Sequence, residues 1–297
     1  MSESAKGIAA MIVACAMWGL SPLFYAQLSH VPAGEVLAHR TLWSLLLFIV
    51  ILIFQRRLAA LPRAIGTGRR FGIILLASTM IAVNWGLFIW SVQVGRVTET
   101  SLGYYIFPLV AVLFGMVFFG ERLKGAQMLA VGLASCAVVV LTIGLGAAPW
   151  IALILAVTFA FYGVLKKRLD TGPVVSVAAE VLVLAPVALL WLAYTWPASD
   201  AWLTPRSLIF LVLSGPMTAG PLMLFSYATR RASMATVGLV QYLNPTLQFF
   251  CAVVVFAEPF TRWHAIAFPL IWVALAVYSV STLRTASKAK RDAAVPG

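Results

Sequence analysis

Leu-Gly-Tyr-Tyr-Ile-Phe-Pro at residues 102–108 and Leu-Val-Gln-Tyr-Leu-Asn-Pro at residues 239–245 sit in two apolar stretches and share Leu, Tyr and Pro in register. The same offset carries Glu121 onto Glu258, Phe88 onto Phe225 and Trp90 onto Tyr227. Slightly larger offsets carry Trp18-Gly19 onto Tyr162-Gly163 and Glu35-Val36-Leu37 onto Glu180-Val181-Leu182. The chain reads as two copies of one unit.

What each copy contains follows from the hydropathy. Of 297 residues 62% are apolar and 10% charged, against roughly 25% charged in a soluble domain. A hydrocarbon core about 30 Å thick takes about 20 apolar residues of helix. Ten such stretches are expected: Gly7 to Leu28, Glu35 to Phe54, Phe71 to Val94, Thr98 to Phe119, Lys124 to Ile143, Trp150 to Lys167, Val175 to Trp196, Ser207 to Thr229, Ser233 to Phe256 and Trp263 to Leu283. The first has the length of a full span and no small-residue cleavage site after it, so it is read as a retained helix. The fold expected is an all-α integral membrane protein of ten transmembrane helices, a five-helix repeat over 7–143, a second over 150–283, and a basic tail over 284–297. Five is odd, so the second copy enters the bilayer from the opposite face. An inverted repeat of this kind makes two conformations close in energy around one central site.

The formal charge of +12 would suggest nucleic acid in a soluble protein, but the positions of the charges argue for a bilayer. With both termini in the cytoplasm, every one of the 21 basic residues falls in an inside segment except Arg96, Arg206, Arg262 and the in-span Arg40. No basic soluble surface remains for nucleic acid. Cys15, Cys136 and Cys251 lie in separate spans at no metal or redox spacing and read as small packing residues. No metal or cofactor is expected.

Pro108 and Pro245 lie near the middle of the fourth and ninth spans. Each lacks an amide proton and blocks the bond to the carbonyl four residues earlier, at Tyr104 and Gln241. Paired interruptions in matching segments point to a transporter's site, although a kink that merely shapes the bundle would look the same. Tyr104, Tyr105 and Phe107 in one half and Gln241, Tyr242 and Asn244 in the other would suit an amphipathic organic solute. Asn84, Trp85 and Trp90, with Trp18, extend the same candidate lining. A lone Trp among these also fits packing or the membrane interface.

Ionisable groups in mid-membrane are costly and so informative. The second span carries Glu35, His39 and Arg40. Glu35 and His39 share a face, and Arg40 is turned roughly 140° from Glu35. Arg40 lies about 8 or 9 Å below the outer end of its helix, where it could snorkel to the headgroups. Facing inward, it would pair with Glu99 and receive a carboxylate or other polar group of the solute. Glu35 and Glu180, related by the repeat, could serve in coupling or gating, or could be helix N-terminal carboxylates favoured by the dipole. Glu121 and Glu258 lie between helices and stay outside the expected site.

Gly120-Glu121-Arg122-Leu123 followed by Gln127, the duplicated unit and the ten-span length resemble the EamA branch of the drug/metabolite transporter superfamily. Longer matches run with it: Val31-Pro32 with Glu35 and His39-Arg40 through Trp43-Ser44, Asn84-Trp85 with Phe88-Ile89-Trp90, Glu99 with Ser101-Leu102-Gly103-Tyr104, and Ile271 through Ala276. The likeness covers nearly the whole chain. It implies a bacterial inner-membrane protein, a ten-helix basket around a central cavity, and peripheral fifth and tenth helices. It does not imply a substrate, because relatives export amino acids, other metabolites or drugs; the solutes expected are small organic ones, amino-acid-like metabolites or drugs such as chloramphenicol. The second motif departs from the pattern, reading Ala257-Glu258-Pro259.

The function expected is a secondary transporter, an exporter working by alternating access, with a passive facilitator or exchanger as the alternative. No Walker-type loop is present. His30, His39 and His264 stand apart, without His-Glu-x-x-His or Gly-x-Ser-x-Gly spacing, which argues against an enzyme. A membrane assembly partner remains a third class. Ala130, Gly132, Ala134 and Ser135 on the fifth helix could pack a second copy as a homodimer, or could pack within the bundle.

Overall fold

The structure, a computed structural model, describes residues 2–120, 125–146, 148–169, 171–196, 204–232 and 234–292. Glu121, Arg122, Leu123 and Lys124, on which the first glycine-acid motif falls, lie outside the described residues. The described chain is helical: α1 (Glu3–Gly19), α2 (Ser21–Ala26), α3 (Ala33–Phe54), α4 (Ala60–Ile65), α5 (Arg69–Gln93), α6 (Val97–Phe119) and α7 (Gly125–Leu145) in the first half. The second half has α8 (Trp150–Lys167), α9 (Pro173–Thr195), α10 (Pro205–Thr229), α11 (Met234–Gln241), α12 (Leu243–Phe250), a π-helical turn over Cys251–Val255, and α13 (Arg262–Asp292).

Among the described residues nine segments are long and apolar enough to cross a membrane, with α1 and α2 counted as one. The stretch expected as the ninth span is shorter and interrupted, its apolar core running Leu239–Val255. The matched prolines behave differently, which corrects the expectation of paired breaks. Pro108 lies inside the unbroken α6, whereas the chain breaks at Tyr242 and restarts with Pro245 as the third residue of α12. The first four amides of a helix have no partner within it, so a proline there removes nothing the helix uses. A second break, at Leu20 before Pro22, splits α1 from α2. The two breaks pack on each other, because Gly19 lies where a Cβ would come within 2.6 Å of Leu247 Cβ and 2.9 Å of the Asn244 carbonyl.

Burial runs opposite to that of a soluble domain. Phe54, Ile143, Leu190 and Tyr194 are among the most exposed side chains, while Ser44, Ser78, Asn84, Thr100, Ser101 and Gln248 are buried. Hydrocarbon offers no hydrogen bonds, so polar groups turn inward, where all of these but Ser44 find partners. α7 and α13 pair along Ala130, Ala134, Ala137, Ala267, Ile271 and Ala274 at the margin of the bundle. Ala130 and Ala134 thus pack within the bundle, while Ser135 is exposed and Gly132 faces open space.

The start of α1 and the finish of α13 lie at one end of the bundle, called here the terminal end, and the loops before α3, α6 and α13 lie at the other, the far end. α13 runs on through the basic tail as far as Asp292.

Gly103 and Gly215 close two helix contacts, since a Cβ on either would lie 2.8 Å from a backbone oxygen, of Ala152 and of Trp43 respectively. Glycine to alanine in an open helix interior stabilises by about 1 kcal/mol. The sign should invert here: Gly103→Ala and Gly215→Ala should lower the melting temperature of the purified protein, while Gly132→Ala, with no atom nearby, should hold or raise it.

Candidate functional site

The helix breaks, α3, α5 and α8 enclose a cavity of about 520 Å³. Of the residues expected in the site, Arg40, Asn84, Trp85 and Tyr104 line it from the first half, with Pro108. Gln241, Tyr242 and Asn244 line it from the second, with Pro245. His39, Glu99, Tyr105, Glu35 and Glu180 are not among its lining residues.

Arg40 is 6% exposed and does not snorkel. Its guanidinium carbon stands 4.1 Å from the centre of the Trp85 ring and 5.6 Å from that of Tyr25, both cavity-lining. Its Nε donates to Thr218 Oγ1 of α10 at 2.9 Å. The expected pairing with Glu99 does not occur: Glu99 bonds Arg96, three residues before it, at 2.5 Å. That pair closes within one helical turn, and Arg40 is turned toward α10 instead. Among the described residues no carboxylate lies within ion-pair distance of Arg40, and the cavity lining contains no Asp or Glu. The guanidinium is therefore a buried positive charge balanced by aromatic faces and one hydroxyl. Cation–π contacts are worth about 0.5–2 kcal/mol, less than the several kcal/mol of an ion's desolvation.

Asn84 is buried with its amide fully engaged: Nδ2 donates to the Leu155 carbonyl (2.9 Å) and Thr158 Oγ1 (3.0 Å), and Oδ1 accepts from Tyr104 Oη (3.0 Å). It fixes Tyr104 against α8. Asn244 Oδ1 accepts from Gln248 Nε2 at 2.9 Å. Tyr105 turns away from the cavity, its hydroxyl 2.7 Å from Thr246 Oγ1 and its ring against Phe268 and Trp272. Glu35 lies in the first turn of α3, buried, and His39 is buried one turn on.

Glu180 sits about two turns into α9, past the stretch where the helix dipole would explain it, and is 1% exposed. It accepts from Lys166 Nζ at 2.6 Å, Tyr162 Oη at 2.8 Å and Ser176 Oγ at 3.1 Å, and Lys166 also reaches Ser176. Lys166 and Tyr162 both line the cavity. Neither was expected in the site. Lys166 reads as a loop charge at the end of its span, although Tyr162 aligns with Trp18, itself a lining residue.

Five rings connect the two cations along one wall. From Arg40 the contacts pass Tyr25, Phe88, Tyr104, Phe159 and Tyr162, at centroid separations of 6.0 to 6.1 Å, the last pair stacked within 12°. Lys166 Nζ then lies 5.3 Å from the Tyr162 ring. Such a wall offers flat apolar surface to a solute body, with a cation near each end.

The model of the EamA-like transporter family matches the chain twice, over residues 5–143 and 147–280, which are the two halves. A protein of Streptomyces exfoliatus called Protein RarD is 42% identical over 302 residues, covering 99% of this chain and 95% of the relative. An uncharacterized transporter of Vibrio cholerae is 39% identical over 293 residues, 97% of each chain. A solved crystal structure superimposes with a TM-score of 0.63 at 21% identity, covering 92% of this chain and 96% of its own, which supports the fold. With the family model matched in both halves and full-length relatives at this identity, the chain belongs to the EamA-like transporter family.

Proposed function

We propose that this protein is a secondary transporter that carries small organic solutes across the bacterial inner membrane by alternating access, and that it selects solutes bearing a negative group on a flat apolar body. The observation that carries the reading is Arg40, a buried cation in the cavity wall without a carboxylate partner among the described residues. An anionic solute supplies the missing counter-charge, and the aromatic wall takes its body. Tyr104, held by Asn84, shapes one side, while Gln241, Tyr242 and Asn244 offer polar contacts on the other. His39, buried one turn from Glu35 on α3, stays outside the cavity lining. The lining reaches Lys166, Pro173, Leu239 and Ser279 toward the terminal end. With both termini cytoplasmic, that is the loading side of an exporter.

Glu180 and Lys166 are the coupling pair in this reading. A solute anion approaching from the terminal end competes with Glu180 for Lys166, and the carboxylate keeps Tyr162 and Ser176 as donors. Glu35 holds the related place at the far end.

Flux into proteoliposomes of labelled amino acids, aromatic carboxylates and chloramphenicol, with and without a pH gradient, tests the reading. Arg40→Gln should slow transport of a carboxylate at least about thirtyfold, the low end for removing one partner of a desolvated charge pair, with folded protein still in the membrane. Equal rates for the variant would refute it, and flux indifferent to the pH gradient would favour a facilitator. Removing one partner of a buried ion pair costs about 3–5 kcal/mol. Lys166→Met should therefore lower the melting temperature sharply, and adding Glu180→Gln should restore most of it.

A further inference from the structure

At the far end, one seam fastens α6 to the segment around α12. Glu258, from the loop before α13, accepts from Val97 N at 2.5 Å and from Thr98 N and Oγ1 at 2.7 Å, capping α6 where its dipole favours an anion. Deeper in the bundle, Ser101 Oγ donates to the Pro245 carbonyl (2.8 Å), the Tyr105 and Thr246 hydroxyls meet at 2.7 Å, and Thr100 Oγ1, which donates to the Val97 carbonyl at 2.8 Å, shares its proton with Gln248 Oε1 at 3.2 Å. Ala257, just before Glu258, takes a φ of +52°, a left-handed conformation that a residue with a Cβ adopts only when its surroundings hold it.

The inverted repeat gives this seam a counterpart toward the terminal end, between α11 and the middle of α6. The offset that aligns Pro108 with Pro245 puts Val237 where Thr100 would be, Gly238 for Ser101, Ala111 for Gln248 and Leu109 for Thr246. None of these four has a side chain that can donate or accept a hydrogen bond. That difference holds in any conformation, because it lies in the residues themselves.

We propose that the two gates are chemically unequal, the side-chain contacts of the far seam having no counterpart between α11 and α6 at the terminal end, so that the unloaded protein rests with its far end shut and its site facing the terminal end. The inference rests on alternating access and adds which side meets the solute first. Opening the far gate breaks the cap, two side-chain bonds and the shared Thr100–Gln248 contact, whereas opening the terminal gate breaks no counterpart of those three side-chain contacts; Glu121, which aligns with the capping Glu258, lies outside the described residues. A neutral hydrogen bond shifts such an equilibrium by about twofold to tenfold, so the seam sets a strong resting bias. Binding on the cytoplasmic face, with release after the far seam opens, is the order an exporter requires.

The test uses a variant with Cys15, Cys136 and Cys251 changed to Ala and Met217→Cys as a reporter in the cavity wall. A membrane-impermeant maleimide is applied from each side. In the unloaded parent, labelling from the terminal side should be at least about tenfold faster than from the far side. Thr100→Val with Thr246→Val removes two hydroxyls at nearly constant shape and should raise the far-side rate about fivefold or more, as should Glu258→Gln on its own, in protein that still elutes as a folded species. Equal rates from both sides in the parent, or a ratio unchanged in both variants, would overturn the proposal. A reporter that no condition makes reachable from the far side, with or without solute, would overturn alternating access itself.

Discussion

A membrane interior without water sets the terms for everything in this molecule. Polar groups in the spans have to be satisfied by protein, and most of the buried hydroxyls and amides comply, Ser44 Oγ being an exception. Ser78 Oγ bonds the Ile74 carbonyl, Thr158 Oγ1 bonds the Ile154 carbonyl, and Asn84 places all of its bonds on α6 and α8. Against that background Arg40 stands out, because aromatic faces and a single hydroxyl are weak compensation for a buried full charge. The cavity's chemistry follows from that imbalance: a positive group, a flat aromatic wall, and amides on the opposite side.

The halves share a plan and differ in detail, and the differences carry the function. Tyr104 in the first half is locked by Asn84, while the same offset places Gln241 and Pro221 at those positions in the second. Pro108 leaves its helix intact, whereas the chain before Pro245 breaks and its new helix start is pressed against Gly19. In the proposed mechanism, symmetry makes two conformations comparable in energy. There, departures from symmetry would decide which is populated and what the site binds.

Much of this was legible in the sequence because the physics behind it is one-dimensional. Runs of about 20 apolar residues fix spans, and matched positions fix the repeat. Arg40 stands out as the basic residue inside a span, and the structure places it in the cavity wall. What failed depends on how helices turn against one another. Glu99 shares a level with Arg40 but bonds Arg96 on its own first turn. Lys166 counts as a loop charge until its side chain is seen folding back onto Glu180. Glu180 resembles a helix-start carboxylate only while the start of α9 is unknown. Tyr105 and Tyr104 are neighbours in sequence but 100° apart around the helix, so that Tyr104 lines the cavity and Tyr105 does not.

The most direct measurement is equilibrium binding followed by the fluorescence of the cavity tryptophans, Trp18 and Trp85, in purified protein titrated with phenylacetate and with its neutral analogue phenylacetamide. The account predicts saturable quenching by the carboxylate, much weaker quenching by the amide, and no distinction between them in Arg40→Gln. Equal binding of the two ligands by the unaltered protein, or undiminished carboxylate binding by the variant, would contradict it.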